Sequence, residues 1–408
     1  MKYLERLKNL KKIFSYAPPG LELPDGLWVS NHDYVSECRR SPTLTVRPGS
    51  GIPPKILDDL PPGTDLSSLY VAGDDEIAEN RQFRYHIIHP AGEAQAKNLI
   101  ILLHGFNDRL WDKYLPWAVR LVELTGQSVL LLPLSFHMNR APEMWTDARI
   151  MQKVSKHRKD VYPDVLCSSL ANAAISLRIH DNPDRFFWSG LESYDNIIDI
   201  VVKIKHGLHQ YVDKTANINF FTYSIGSFLG EIVMMTNHDN FFSKTRMFLF
   251  CGGPVFNRLS PVSKFILDSE ANVRLYSFLV EHLDSHRRKD PQLEKFLGET
   301  PVGQNFRAML NYRLDRERRE ASFRAMADRL YAVALSADEV VPPYEVVNTL
   351  QGSARDVSVK VDVEELPYPY RHEDPFPAVE KFADEIHEAF ESVFGRAADF
   401  LGAAGVGV

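Results

Sequence analysis

Three residues spread along the chain have the types needed for a nucleophile, a base and an orienting acid. The first lies in the stretch from Asn217 to Met235, NINFFTYSIGSFLGEIVMM. Ile218 to Tyr223 is apolar, aromatic and β-branched, which predicts a buried strand. From Gly226 onward helix formers dominate, and Phe228, Ile232 and Met235 recur at helical spacing. Ser224 stands where the period changes. A serine on such a strand-to-helix turn is lifted above the sheet edge. The partly positive N-terminus of the following helix then faces whatever the serine attacks. The pattern G-x-S-x-G reads here Thr222-Tyr223-Ser224-Ile225-Gly226, with threonine in place of the first glycine. Small residues beside the serine are a packing demand of the tight turn, and threonine is bulkier than that demand. Ser227, one turn into the helix, is a weaker candidate.

A serine nucleophile needs a base to take its proton and a carboxylate to orient the base. After an apolar run from Leu330 to Leu335 comes SADEVVPP, which places Asp338 at a strand end, with Glu339 beside it as the competing acid. After a predicted strand over Ser358 to Leu366 comes YPYRHEDP, which places His372 on a loop before the last helix. His387 falls on that helix and reads as a surface or core-edge residue. The order is thus Ser224, Asp338, His372, each following its own strand. A fourth strand end, after Asn98 to Leu103, carries His104-Gly105-Phe106-Asn107-Asp108, where His104 reads as serving the turn. His137, Asn139, Arg140 and Trp145 follow a further strand at the sheet edge where ligands bind. Together with His104 and Tyr223, the residues His137, Arg140 and Trp145 are candidates for lining a pocket.

The elements that must position these groups alternate. NLIILL (98–103) is a continuous apolar run, as in a central parallel strand covered on both faces. Trp111 to Leu124 reads as a helix and Ser128 to Leu132 as a second buried strand, giving a parallel unit with a crossover helix. Strands are also predicted at Ser68 to Ala72, Phe83 to His89 and Arg246 to Phe250. An amphipathic helix is predicted over Ser193 to Tyr211, N-capped by Ser193. Phe376 to Phe394 reads as a closing helix and Gly402 to Val408 as a frayed end. Residues 1–66 form an N-terminal segment, irregular and wrapping over its proline-rich part from residue 20. Residues 67–408 form one α/β domain with insertions at about 135–190 and 255–328, the second read as a helical cap. Within it, RLDRERREASFRAMADR (313–329) reads as a solvated helix face.

Bulk properties narrow the classes. A net charge of −7 gives no general attraction for nucleic acid or anionic membranes. The three cysteines lack C-x-x-C spacing, which argues against a disulfide framework and a zinc site and fits a reducing, cytoplasmic setting. No segment approaches the roughly 18 apolar residues of a membrane span. The basic start, MKYLERLKNLKKIF, has no apolar core of a secretory signal.

Over residues 68–134, 190–253 and 329–394 the chain resembles α/β-hydrolase fold proteins of the serine hydrolase type. The ordered set of His104-Gly105, Ser224, Asp338 and His372 carries the resemblance. It implies a mostly parallel central sheet with flanking helices. It also implies an oxyanion hole built from the backbone N–H groups of Phe106 and Ile225. The expected activity is that of a serine-dependent carboxylic ester hydrolase, esterase- or lipase-like, acting on a small acyl substrate through an acyl-enzyme without metal or organic cofactor. The reading from another class is a non-catalytic relative that binds a ligand or partner, with Thr222 as a sign of decay. An epoxide hydrolase or dehalogenase would need aspartate at the position of Ser224.

Overall fold

The computed structural model describes residues 1–16, 19–37 and 64–402. Nine strands form one sheet: β1 (Gly20–Leu23), β2 (Leu27–Val35), β3 (Gln82–Pro90), β4 (Ala96–Leu103), β5 (Ser128–Leu131), β6 (Val212–Tyr223), β7 (Met247–Phe250), β8 (Leu330–Leu335) and β9 (Lys360–Glu364). Their order is β1-β2-β3-β5-β4-β6-β7-β8-β9. β1 to β3 and the β3–β5 pair are antiparallel, and every pair from β5 to β9 is parallel.

The apolar run of β4 is explained by burial on both faces. Leu99, Ile101 and Leu103 point into one core, and Ile100 and Leu102 into the other. The first core is covered by the helices Arg185–Lys205 and Ile225–Thr236 and by helices from the segment after residue 255. The second is covered by Tyr114–Thr125, Ala383–Gly402 and the N-terminal helix Tyr3–Ile13. Strand order, the antiparallel β3, the helices on both faces and the strand-to-helix turn at Ser224 give the α/β-hydrolase fold. No helix among the described residues is long and apolar enough to cross a membrane.

Several elements differ from the sequence reading. Residues 20–35, expected to be irregular, make β1 and β2, with Leu23, Leu27, Val29 and Tyr34 buried. The polar residues between them hide the alternation, because few side chains of these two strands are buried. The rest of that expectation, residues 38–63, lies outside the described residues, as do residues 403–408 of the frayed end. Ser67–Tyr70 is a helical turn rather than a strand, set by Asp65, which accepts from Ser67 N at 2.8 Å. The helix expected from Ser193 starts at Arg185 and ends at Lys205, because Phe186, Phe187 and Trp188 continue its buried face. Ser193 is therefore interior. Its hydroxyl donates to Ser189 O at 2.8 Å and accepts from Ser135 N at 2.9 Å. The closing helix runs later than expected, from Ala383 to Gly402. In the charged 313–329 run, Arg319 is buried and donates to the carbonyls of Ala308 at 2.5 Å and Tyr312 at 2.5 Å.

Candidate active site

The turn between β6 and the Ile225–Thr236 helix holds Ser224 at φ 56°, ψ −122°, a conformation side-chain-bearing residues rarely adopt. The turn stays tight because Gly226 lies against β4, where a methyl group would sit 2.5 Å from Leu103 O. Thr222, the unexpected residue, is accommodated one helical turn further on. Gly230 faces it, and a Cβ there would lie 3.0 Å from Thr222 Cγ2. The Thr222 hydroxyl donates to Phe248 O at 3.2 Å and accepts from Ser227 Oγ at 2.9 Å. Ser227 is thereby committed to the turn's own packing.

His372 follows β9 and reaches Ser224. Its Nε2 lies 2.7 Å from Ser224 Oγ, and its Nδ1 lies 2.7 Å from Asp338 Oδ2. A carboxylate accepts, so Nδ1 carries the ring proton and Nε2 presents a lone pair to the serine hydroxyl. The other Asp338 oxygen accepts from Val340 N at 2.9 Å and Val341 N at 2.8 Å. Glu339 is exposed and Asp338 buried, so the local backbone selects between the two acids. The Tyr223 ring stacks on His372 at 5.5 Å and 12°, and its hydroxyl donates to the His372 carbonyl. His372 is thus held by the residue that precedes Ser224. Cys251 is buried beside Asp338, and burial pushes its thiol up, away from the reactive thiolate.

His104 is buried, with Nδ1 donating to Gly105 O at 2.9 Å and Nε2 accepting from Leu134 N at 2.9 Å. Burial pushes its pKa down to about 4, so it is a neutral brace for the turn that carries Phe106. Neither Phe106 N–H nor Ile225 N–H has an acceptor among the described residues. Arg140 is not among the walls of the cleft or of the apolar cavities around Ser224. It is fully buried, paired with Glu192 at 2.9 Å and bonded to Asn196 and the carbonyls of Asn80 and Pro133. A guanidinium can be buried only when its donors are used, and here the interior uses them. Asn139 donates to Arg84 O and is likewise not among those walls.

Ser224 stands between two different spaces. On one side is an open cleft of about 740 Å³, lined by Tyr223, His372, Trp145 and charged groups that include Arg109, Lys113 and Arg371. On the other is a narrow apolar cavity of about 40 Å³, lined by Phe256, Ile266, Val340 and Val341. A further apolar cavity of about 60 Å³ contains His137. The two apolar cavities share Phe106, Phe186, Ile225 and Phe228 as walls. Phe186 and Phe228 escaped the sequence reading because a wall aromatic and a core aromatic have the same helical periodicity. Among the described residues no cluster of three or more His, Cys, Asp or Glu side chains could hold a metal ion.

Solved structures similar to this chain include carboxyl esterase 2 from the mycorrhizal fungus Tuber melanosporum, at 13% identity over 79% of this chain and 82% of that one, TM-score 0.43. A carboxylesterase from Lactobacillus plantarum is similar at 11% identity over 79% and 96% of the two chains, TM-score 0.40. An esterase from Pyrobaculum calidifontis is similar at 10% identity over 78% and 82%, TM-score 0.39. No curated protein sequence matches. The model of the family described as "Family of unknown function (DUF6051)" matches residues 53–402, and the chain belongs to that family.

Proposed function

We propose that the chain is a serine-dependent carboxylic ester hydrolase in which Ser224 is the nucleophile, His372 the general base and Asp338 the orienting acid. The observation that carries this reading is the hydrogen-bond path from Asp338 through His372 to Ser224, 2.7 Å at each step. Ser224 Oγ attacks the acyl carbon as His372 Nε2 takes its proton. The imidazolium stays paired with Asp338. The carbonyl oxygen becomes an oxyanion between the N–H groups of Phe106 and Ile225, at a helix N-terminus that favours negative charge. Losing one such donor costs about 10²–10³ in rate. His372 then gives the proton to the departing alcohol oxygen. In the second half His372 deprotonates water, the hydroxide attacks the acyl-enzyme, and Ser224 recovers its proton as the acid leaves.

The acyl part enters the apolar cavities and the alcohol part lies in the open cleft that the charged groups line. Residues 135–190 and 255–328 act as the cap, supplying Phe186, Phe256 and Ile266 to the cavity walls. The alternative, a non-catalytic ligand-binding protein, was motivated by Thr222. Gly230 accommodates that residue, so the observation no longer favours decay. The test is labelling with a fluorophosphonate probe, together with hydrolysis of p-nitrophenyl butyrate, for wild type and Ser224→Ala. Wild type should label and turn over, and the variant should do neither. An unlabelled, inactive wild type, or full activity in the variant, would refute the assignment.

A further inference from the structure

The loop that carries His372 and the turn that carries Phe106 are joined through one lysine. Lys113 stands just before the helix Tyr114–Thr125. Its Nζ donates to the carbonyl of Glu373, the residue after His372, at 2.9 Å. The same ammonium pairs with Asp108 Oδ1 at 3.0 Å. The other oxygen of Asp108 accepts from the Tyr114 hydroxyl. That hydroxyl in turn accepts from Gly105 N at 2.8 Å. A path of hydrogen bonds and one ion pair thus runs from the residue after His372 to the residue before Phe106.

The path ends beside the N–H that would meet the oxyanion. Phe106 N–H belongs to the same planar trans peptide as Gly105 O, so the two point in opposite directions. His104 Nδ1 donates to that oxygen at 2.9 Å, and Tyr114 holds the amide on the other side of Gly105. Gly105 has little room to shift. A Cβ on it would lie 2.9 Å from Asp108 Oδ2 and 3.0 Å from Tyr223 Cε1. Tyr223 is also a support of His372, by its stacked ring and its bond to the His372 carbonyl. The Lys113 ammonium lies over that ring, 4.9 Å from its centre. Lys113 therefore meets both the Glu373 carbonyl and the Tyr223 ring. An exposed lysine–carboxylate pair fixes little, because both side chains are solvated and mobile. Here the two side chains are only 17% and 21% exposed, and a backbone carbonyl shares the ammonium.

Resting on the esterase reading above, we propose that Lys113 and Asp108 are positioning residues that set His372 and the Phe106 N–H in one register. They act through Glu373 and Gly105, not on the reacting atoms. The base and the oxyanion donor must stand at fixed places about one carbonyl, and a misplacement of about 1 Å lowers a rate about 10²-fold. The test uses Lys113→Met, Lys113→Arg, Tyr114→Phe and the double variant Lys113→Met with Tyr114→Phe. The substrate is p-nitrophenyl butyrate. Each preparation is titrated to completion with a fluorophosphonate, so kcat is expressed per reactive serine, and urea midpoints are measured alongside. Lys113→Met should lower kcat about 10- to 100-fold and leave KM within about twofold of wild type. Lys113→Arg, whose fork also reaches a carboxylate and a carbonyl, should recover most of the loss. Tyr114→Phe breaks the same path elsewhere, so the double variant should lose at least about threefold less than the product of the two single losses. A lysine that only stabilises the fold would lower the urea midpoint and the titratable fraction and leave kcat per titrated serine unchanged, and that result overturns the inference. A raised KM with unchanged kcat also overturns it, and makes Lys113 a contact of the alcohol part in the cleft. No recovery in Lys113→Arg, or single losses that simply multiply, overturns the link between base and oxyanion donor. A wild type that neither labels nor hydrolyses removes the esterase reading, and this inference falls with it.

Discussion

Gly226→Ala tests the turn directly. A methyl group at this position would meet Leu103 O at 2.5 Å, Leu103 C at 2.7 Å and His104 O at 2.8 Å. All three are backbone atoms at the end of β4, so no side chain can rotate away. Ordinary contact begins near 3.4 Å, so the helix start must withdraw by about 0.9 Å, the difference between 3.4 and 2.5. Overpacking of this kind costs about 1–3 kcal/mol. Ser224 lies two residues away and moves with the helix start, lengthening the 2.7 Å bond to His372. A misplacement of about 1 Å lowers a rate about 10²-fold. The expected result is a lower urea midpoint together with a kcat/KM for p-nitrophenyl butyrate reduced about 10- to 100-fold. Gly395→Ala, in the final helix with nothing within 4 Å, is the control. It should gain up to about 1 kcal/mol and leave the rate unchanged. Wild-type stability and rate in Gly226→Ala would refute the steric argument. Lost stability with an unchanged rate would refute the link from turn to chemistry.

Gly230→Ala should destabilise by about 1–3 kcal/mol, because its Cβ would meet Met247 Sδ at 2.8 Å and Thr222 Cγ2 at 3.0 Å. Adding Thr222→Ser removes that methyl and keeps the hydroxyl, so the double variant should lose at least about 0.5 kcal/mol less than the sum of the two. Strict additivity in urea unfolding would show that the two positions do not share a contact. Arg158 and Asp268 are both buried and joined at 2.6 and 2.7 Å, linking the Ala148–Val161 and Ser269–Tyr276 segments. Arg158→Met should cost about 3–5 kcal/mol by leaving a lone buried carboxylate, and Arg158→Met with Asp268→Leu should recover much of it. A loss below about 1 kcal/mol in the single variant would contradict this. Burial lowers His32, His86, His104 and His209 from 6.5 to about 4, 3, 4 and 4. Between pH 6.5 and about 4 the unfolded chain binds protons the folded chain refuses, so this stability is full above 6.5 and is lost as pH falls. Urea midpoints should drop across that window, and less steeply in His209→Gln. An identical slope would count against His209 as one of the titrating groups.

The central strands were legible because parallel strands buried on both faces leave unbroken apolar runs, as in residues 98–103 and 330–335. The juxtaposition of Ser224, Asp338 and His372 was legible for a related reason. Residues that follow neighbouring parallel strands emerge at the same sheet edge, whatever their separation in sequence. Three other features were not legible. Arg140, beside aromatic residues and a histidine, looked like a pocket cation, yet Glu192 and Asn196, more than fifty residues away, take its donors. Arg319 sat in a charged run and was read as solvated, because nothing local signals that the carbonyls of Ala308 and Tyr312 converge on it. The strands β1 and β2 were masked by polar residues, which they tolerate because few of their side chains are buried. The choice of Asp338 over Glu339 was open in sequence, and is made in the fold by the amides of Val340 and Val341.

The pairing of Thr222 with Gly230 bears on how such turns are recognised. The space beside the serine is a single volume filled from two sides, by a strand residue and by a helix residue eight positions later. What the turn requires is a limit on their combined size. A glycine may stand on either side of that contact. A search pattern that fixes the glycine before the serine passes over this chain, whereas one that adds the volumes at positions 222 and 230 would find it. Chains dismissed for a missing first glycine therefore merit inspection one helical turn beyond the second.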